Sequence, residues 1–331
     1  MPTLYVFETG SRIEIEYQRL LVTQEDEVLL RLPLGDITQI VVVGAVGVTT
    51  PALHRLLERN IPLLFLSARG RYLGKIATPA SYHLPLRQQQ FARNDDASFA
   101  LQMAQSITAG KIRNQGIQAA RWARRHPLPA DQCLQLRQSA AQAAVAPNLP
   151  TLLGIEGNAA RLYFELFQQV IPPAWGFLNR NRRPPKDPVN ALLSLGYTLL
   201  TQTLSSALEV VGLDPYLGYF HTEHYGRPAL ALDLLEEFRA PIVDSLVASL
   251  VSHQQLTPAD FETDPQNGGV YLSTHGWRIF ARRFTHKLET PIFWRSLGRR
   301  LNYQKIFEVQ ARQLAHLIQG RQSQYRPFMA R

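Results

Sequence analysis

The apolar residues of this chain change period near Thr78-Pro79, and that change constrains the fold more than any other feature. Before it, short apolar runs alternate with charges or glycine: Leu4-Tyr5-Val6-Phe7, Arg12-Ile13-Glu14-Ile15-Glu16, Leu20-Leu21-Val22 and Val28-Leu29-Leu30-Arg31-Leu32. Ile40-Val41-Val42-Val43 and Pro62-Leu63-Leu64-Phe65-Leu66 read as fully buried strands, and Tyr72-Leu73-Gly74-Lys75-Ile76 closes the region. One helix interrupts them. Thr49 or Thr50 caps it, Pro51 suits its first turn, and Leu53, Leu56 and Leu57 form its apolar face. After Thr78-Pro79 the stretches become long, Ala-, Leu- and Gln-rich and helical in spacing. Asp95 or Asp96 caps a helix running towards Arg125, and Asp187-Pro188 opens another. Further helices are expected around 150–170, 230–252 and 303–319. The expected fold is α+β by segregation. An N-terminal β-rich, β-sandwich-like domain spans 1–79, a linker and first helix span 80–95, and an all-α domain spans 96–331.

Charge follows the same division. The chain has 35 lysines and arginines against 26 acidic residues, and the first 79 residues hold eight of each. The whole net charge of +9 therefore lies in the helical part. Localised positive charge points to a polyanion, above all nucleic acid. A membrane surface is not expected, because no basic amphipathic helix with exposed Trp, Phe and Leu is visible and no run approaches about 18 apolar residues. Cys133 is the only cysteine, which excludes an internal disulfide and a cysteine-based zinc site. With no secretory signal at Met1–Tyr5, the expected compartment is the cytoplasm.

Three stretches carry groups suited to chemistry. In the first, Ile155, Ala159, Leu162 and Tyr163 recur at helical spacing, and Glu156 stands beside Gly154 and Gly157, which leave room for close approach. Taken alone, Glu156 reads first as a surface glutamate near a helix start. In the second, the basic, proline-stiffened Asn181-Arg182-Arg183-Pro184-Pro185-Lys186 feeds the helix capped by Asp187, and either holds phosphates or is simply solvated. In the third, His221 precedes Gly226-Arg227-Pro228 and then Asp233, Glu236 and Glu237, whose spacing puts three carboxylates on neighbouring parts of one helix surface. Such patches mostly face water, but a histidine upstream makes a shared ion the sharper reading. His221 and His224 are not read as a zinc pair, since no third soft ligand is evident. A glutamate, a histidine and a second acidic residue form a mainly oxygen-donor set suited to Mg²⁺ or Mn²⁺, with imidazole favouring Mn²⁺. Such an ion offsets charge on a phosphodiester and lowers the pKa of an attacking hydroxyl.

Two basic stretches offer positive surroundings. Lys111, Arg113, Arg121, Arg124 and Arg125 have no acid among them, and residues 278–300 are basic apart from Glu289. The candidate DNA contacts are Arg182, Arg183, Lys186, Arg227, Arg282, Arg283 and Lys287. Trp277, Phe280, Phe284, Phe293 and Trp294 read as core, with arginine stems packed against them.

In this order and at these separations, the stretches resemble the integrase of CRISPR adaptation, the first-numbered CRISPR-associated protein family. Leu4-Tyr5-Val6, Pro33-Leu34, Gly44, Val48-Thr49-Thr50 and Gly70-Arg71-Tyr72-Leu73-Gly74 are similar to its β domain. Asn181 through Pro185 with Asp187-Pro188-Val189-Asn190-Ala191-Leu192-Leu193-Ser194 is the most recognisable segment. Gly212-Leu213-Asp214-Pro215 through His221, and Asp233 through Arg239, complete the signature. The resemblance implies that Glu156, His221 and Glu236 are the metal ligands and catalytic residues, with Asp233 a further acidic position beside the metal. It also implies a symmetric homodimer, with two dimers flanking a small partner, the second-numbered CRISPR-associated protein. Double-stranded DNA is the implied substrate, as prespacer and as CRISPR repeat. Each free 3′-hydroxyl attacks a phosphodiester of the repeat, without a nucleotide cofactor. Local spacing leaves Glu236 and Glu237 both open as third ligand, since several relatives carry aspartate where Glu236 stands. Tyr325-Arg326-Pro327-Phe328 either docks a partner or packs against its own domain. The same ligands serve an alternative, a stand-alone structure-selective nuclease that uses water as nucleophile. A third reading is a basic scaffold that binds nucleic acid and catalyses nothing.

Overall fold

The structure, a computed structural model, describes residues 3–25, 27–78, 83–181, 184–221, 226–294 and 297–330. The strand-rich part contains β1 (Thr3–Val6), β2 (Arg12–Glu16), β3 (Arg19–Gln24), β4 (Glu27–Pro33), β5 (Gln39–Val43), β6 (Gly47–Val48), α1 (Thr50–Glu58), β7 (Leu63–Leu66) and β8 (Tyr72–Ile76). These strands form two four-stranded sheets, ordered β1-β5-β7-β8 and β4-β3-β2-β6. Side chains alternate across a strand, so each strand of a middle layer feeds two cores. In β5, Ile40 and Val42 pack with Val6, Ile13, Leu20, Val22 and Leu56 between the sheets and α1. Val41 and Val43 turn the other way and join the core of the helical part. A strand buried on both faces has no polar alternation, which is why β5 reads as an unbroken apolar run. Thr49 caps α1 by accepting from the Ala52 N–H at 3.4 Å, with Pro51 in the first turn.

The helical part contains α2 (Leu84–Asn94), α3 (Ala97–Trp122), α4 (Ala130–Ala143), α5 (Leu149–Val170), α6 (Pro188–Val211), α7 (Ala229–Leu235), α8 (Ser245–Ser252), α9 (Thr274–Glu289) and α10 (Tyr303–Ile318). A π-helical stretch, Arg239–Asp244, joins α7 to α8. Asp96, Asn148, Asp187, Ser273 and Asn302 start α3, α5, α6, α9 and α10, each accepting the backbone N–H three residues on. Of the two aspartates that sequence offered for α3, Asp96 is the cap. Trp277, Phe280, Phe284 and Trp294 are buried as expected, while Phe293 stays exposed.

Two short antiparallel ladders lie within the helical part: β9 (Phe261–Thr263) with β10 (Val270–Leu272), and β11 (Ile292–Trp294) with β12 (Arg299–Leu301). Strands this short give no alternation to read. No helix among the described residues is long and apolar enough to cross a membrane.

Candidate metal centre

Four elements bring the chemistry together: α3 carries Lys111, α5 carries Glu156, the end of α7 carries Glu236, and the loop before α7 carries His221. Because α5 starts at Leu149, Glu156 stands two turns inside the helix, not near its start. A Cβ added at Gly154 or Gly157 would meet nothing within 4 Å, so the room anticipated beside Glu156 exists.

The histidine is held from behind. A Cβ at Gly218 would lie 2.7 Å from the Ala229 carbonyl carbon and 2.9 Å from Asp233 Oδ2, so only glycine lets this loop pass so close to α7. That approach presents the Tyr219 and Phe220 N–H groups to Asp233 Oδ2, at 2.7 and 3.0 Å. The His221 N–H donates to Asp233 Oδ1 at 2.8 Å, and His221 Nδ1 lies 2.8 Å from the same oxygen. With the ring proton on Nδ1 and donated to Asp233, Nε2 presents a lone pair. It lies 3.6 Å from Glu236 Oε1. Both Asp233 oxygens are thereby taken up by the loop and the ring. Asp233 is suited to orienting the imidazole, a different task from the direct ligation considered for it on sequence.

Glu236 is 2% exposed. Its Oε1 meets Arg239 at 3.0 Å and its Oε2 faces Lys111 Nζ at 2.7 Å. The same ammonium contacts Glu156 Oε1. Burial alone pushes the Glu236 carboxyl up, but Arg239, Lys111 and His221 together outweigh it and hold the group at about 2, an ionised carboxylate. Behind it, Arg239 stacks on the Tyr197 ring at 4.6 Å, and Tyr197 and Tyr163 donate to buried Asp244 at 2.5 and 2.9 Å.

The adjacent Glu237 serves another purpose. It accepts from Tyr325 OH at 2.8 Å, from Gln310 Nε2 at 3.1 Å and from the Phe328 N–H. Burial pushes its carboxyl up to about 7 against these hydrogen bonds. Asn114 Nδ2 donates to the carbonyls of Glu237 and Phe328, both at 2.8 Å, and its Oδ1 accepts from the Ala330 N–H at 2.9 Å. Pro327 lies over Gly110, where a Cβ would come within 2.4 Å of the ring. Of the two glutamates left open by spacing, Glu236 faces Glu156 and His221 while Glu237 fastens residues 325–330. Tyr325 and Phe328 are buried against their own helices.

Glu156 and Glu236 meet at the Lys111 ammonium, and His221 Nε2 lies 3.6 Å from Glu236 Oε1; in chemistry, two carboxylates and an imidazole fit a hard divalent ion. Among the described residues no three His, Cys, Asp or Glu groups close into a cage, and the Lys111 ammonium bridges the two glutamates.

The candidate DNA contacts are spread more widely. Arg182 and Arg183, like His224, lie outside the described residues. Residues 179–181 are anchored by Asn190, whose Nδ2 donates to Asp187 Oδ2 and the Asn179 carbonyl at 2.7 and 2.8 Å and whose Oδ1 accepts from Arg180 and the Asn181 N–H. Lys186 is exposed and donates to the Asn267 carbonyl at 3.1 Å. Arg282 and Arg283 are exposed on α9. Lys287 is half-buried there, and burial, then the Arg121 charge, pushes its ammonium down to about 8. Arg227 lines a cleft of about 1170 Å³ with Arg69, Arg71 and Arg239, and among the described residues no carboxylate lines it. Lys111, grouped on sequence with DNA-facing residues, is 8% exposed and belongs to the acidic site, unlike exposed Arg113, Arg124 and Arg125. Its apolar neighbours in Ala109-Gly110-Lys111-Ile112 were the signal for that. The Asp244–Tyr163–Tyr197 cluster carried no such signal.

Residues 4–286 match the family described as "CRISPR associated protein Cas1". A relative from Thermus thermophilus, "CRISPR-associated endonuclease Cas1 3", is 38% identical over 330 residues, 99% of this chain and 97% of its own length. Among solved structures, "Casposase bound to integration product" is similar over 98% of this chain and 93% of that chain, at a TM-score of 0.86 and 23% identity, a likeness of fold. The "Cas6-RT-Cas1--Cas2 complex" has a TM-score of 0.83 and 28% identity over 99% of this chain and 36% of that chain.

Proposed function

This chain belongs to the Cas1 family, and from that premise we propose that it is a divalent-metal-dependent DNA integrase and endonuclease of CRISPR adaptation. The observation that supports this most is that Glu156 and Glu236, from different helices, meet at one ammonium, with His221 Nε2 3.6 Å from Glu236 and its ring held by Asp233. Glu156, His221 and Glu236 would hold Mg²⁺ or Mn²⁺. Bound there, the ion offsets charge on a phosphodiester and lowers the pKa of an attacking hydroxyl.

The rest of the work falls to the chain. Asp233 keeps the proton on His221 Nδ1, so that Nε2 stays a donor of electrons. In the cleft, Arg71 and Arg227 neutralise backbone phosphates without reading sequence, while Arg69 and Arg239 are paired with Asp264 and Glu236. The open face beside Gly154 and Gly157 leaves space for a DNA backbone next to Glu156. A free 3′-hydroxyl of the prespacer attacks a phosphodiester of the repeat. One P–O bond forms as another breaks, and the displaced strand leaves with the proton, so no nucleotide cofactor is consumed. The chain acts as a homodimer, two of which flank the small Cas2 partner, whose name stands beside Cas1 in one structural neighbour. Water in place of the 3′-hydroxyl gives hydrolysis, a second reading favoured by the endonuclease name of the Thermus relative.

A strand-transfer assay tests this, with purified protein, its Cas2 partner, a short duplex bearing free 3′-hydroxyls and a plasmid carrying a leader and repeat. Covalently joined products are expected with Mn²⁺ or Mg²⁺, and none with EDTA or with His221→Ala. Cleavage without joining favours the stand-alone nuclease, and DNA binding with neither leaves the scaffold.

A further inference from the structure

Burying an ammonium is costly unless it is paired. Lys111 is nevertheless buried in the middle of α3, flanked by buried Ala109, Gly110 and Ile112. Its Nζ contacts Glu156 Oε1 and lies 2.7 Å from Glu236 Oε2, joining carboxylates from two different helices. The geometry points to Lys111 as a resident counter-cation. It holds the Glu156–Glu236 pair together while no divalent ion is bound, and it must leave its position between them when one enters. This rests on the proposal above that Glu156, His221 and Glu236 are the ligands.

Besides His221, Lys111 and Arg239 are the cations that touch Glu236 among the described residues, and their surroundings differ. The Arg239 guanidinium meets Oε1 at 3.0 Å and is stacked on the Tyr197 ring at 4.6 Å, so a planar group is fixed on two sides. Lys111 has no such stacking, and its ammonium sits at the end of a flexible four-carbon stem. It alone contacts both glutamates. A divalent ion satisfies the same oxygens with twice the charge and also takes the His221 Nε2 lone pair, which an ammonium, a donor only, does not use. Entry of the ion and departure of the lysine are thus one exchange. The site is preassembled at the expense of affinity, because the Lys111 contacts must break first.

The test is Mn²⁺ binding, followed by the electron paramagnetic resonance signal of free Mn²⁺, together with melting temperature in EDTA and in Mn²⁺. Lys111→Met keeps an unbranched side chain, shorter by its terminal nitrogen, with a similar helix preference, and removes the charge. The variant is expected to melt lower than the unmodified protein in EDTA, to gain more on adding Mn²⁺, and to bind Mn²⁺ roughly tenfold tighter or more, since a charge-assisted contact no longer competes. Unchanged or weaker Mn²⁺ binding by a folded variant overturns the inference. Where Lys111→Met folds only with Mn²⁺ present, that is the expected behaviour in its extreme form. Where it does not fold at all, Lys111→Gln, a neutral donor, is measured in the same way. Failure of both to fold in saturating Mn²⁺ makes Lys111 a cation the metal does not replace, and also overturns the inference. Failure of the underlying ligand set looks different: the unmodified protein binds no Mn²⁺, or His221→Ala binds it equally well.

Discussion

Among the described residues of the strand-rich part, Ser11 is the only buried polar side chain, whereas the helical part buries Lys111, Asp187, Asp233, Glu236, Glu237 and Asp244 among others. The two parts therefore solve different problems. Between the sheets, apolar side chains such as Ile13, Leu20 and Ile40 are removed from water with nothing left to pair. Around the candidate metal centre buried charges need partners: Lys111 has two glutamates, Asp233 a loop, and Glu237 residues 325–328. A hydrophobic core of the same volume would be easier to stabilise. Ionisable groups are kept only where chemistry or precise positioning needs them. The difference teaches that stability and activity in this chain are separable by region.

That separation can be broken or sharpened by measurement. The largest expected effect is on Glu236→Gln, which removes one charge from the centre: strand transfer falls about a thousandfold while circular dichroism still reports a folded chain. The opposite case is Leu20→Ala, fully buried between the sheets. Denaturant unfolding should show a loss of about 3 kcal/mol, with unchanged activity per folded molecule. An activity loss beyond the unfolded fraction would break the comparison. Smaller is Asp233→Asn, which loosens the His221 ring; Mn²⁺ affinity should fall about ten- to a hundredfold. Smaller again is the pair Arg282→Gln and Arg283→Gln on exposed α9. The slope of log affinity for duplex DNA against log salt should shrink by about 0.9 for each lost phosphate contact.

A separate effect is on pH. Lys287 has its folded value near 8 against an ordinary 10.5, so between those limits the unfolded chain holds the extra proton and stability rises with pH. Melting curves of Lys287→Met should lack that rise and lie above the unmodified protein at pH 7. Parallel curves for the two proteins would show that burial of Lys287 has no energetic weight.

Much of this architecture is legible in the residues, for reasons local to them. β2 and β8 start and stop at the residues that alternation selects, and Asp187 caps α6 where Asp-Pro requires it. Local patterns fail where long-range packing decides. Spacing along α7 cannot choose between Glu236 and Glu237, because the choice depends on α3, α5 and residues 325–328 arriving on opposite sides of the same turn. The apolar neighbours of Lys111 mark it as buried, but its partners appear only when α3 is laid against α5 and α7. Asp244 looks like any polar residue in a helix until Tyr163 and Tyr197 close over it.

The fastening of Glu237 has a bearing on how the protein is made. The backbone N–H it accepts from belongs to Phe328, 91 residues further along the chain. A ribosome that has already released α3, α5 and α7 has therefore not yet released the segment that closes over the neighbouring glutamate. Until Phe328 emerges, Asn114 and Glu237 lack their lids, and the turn bearing Glu236 is held from one side only. Closure of this turn therefore waits on a segment made after the elements that carry Lys111, Glu156 and Glu236.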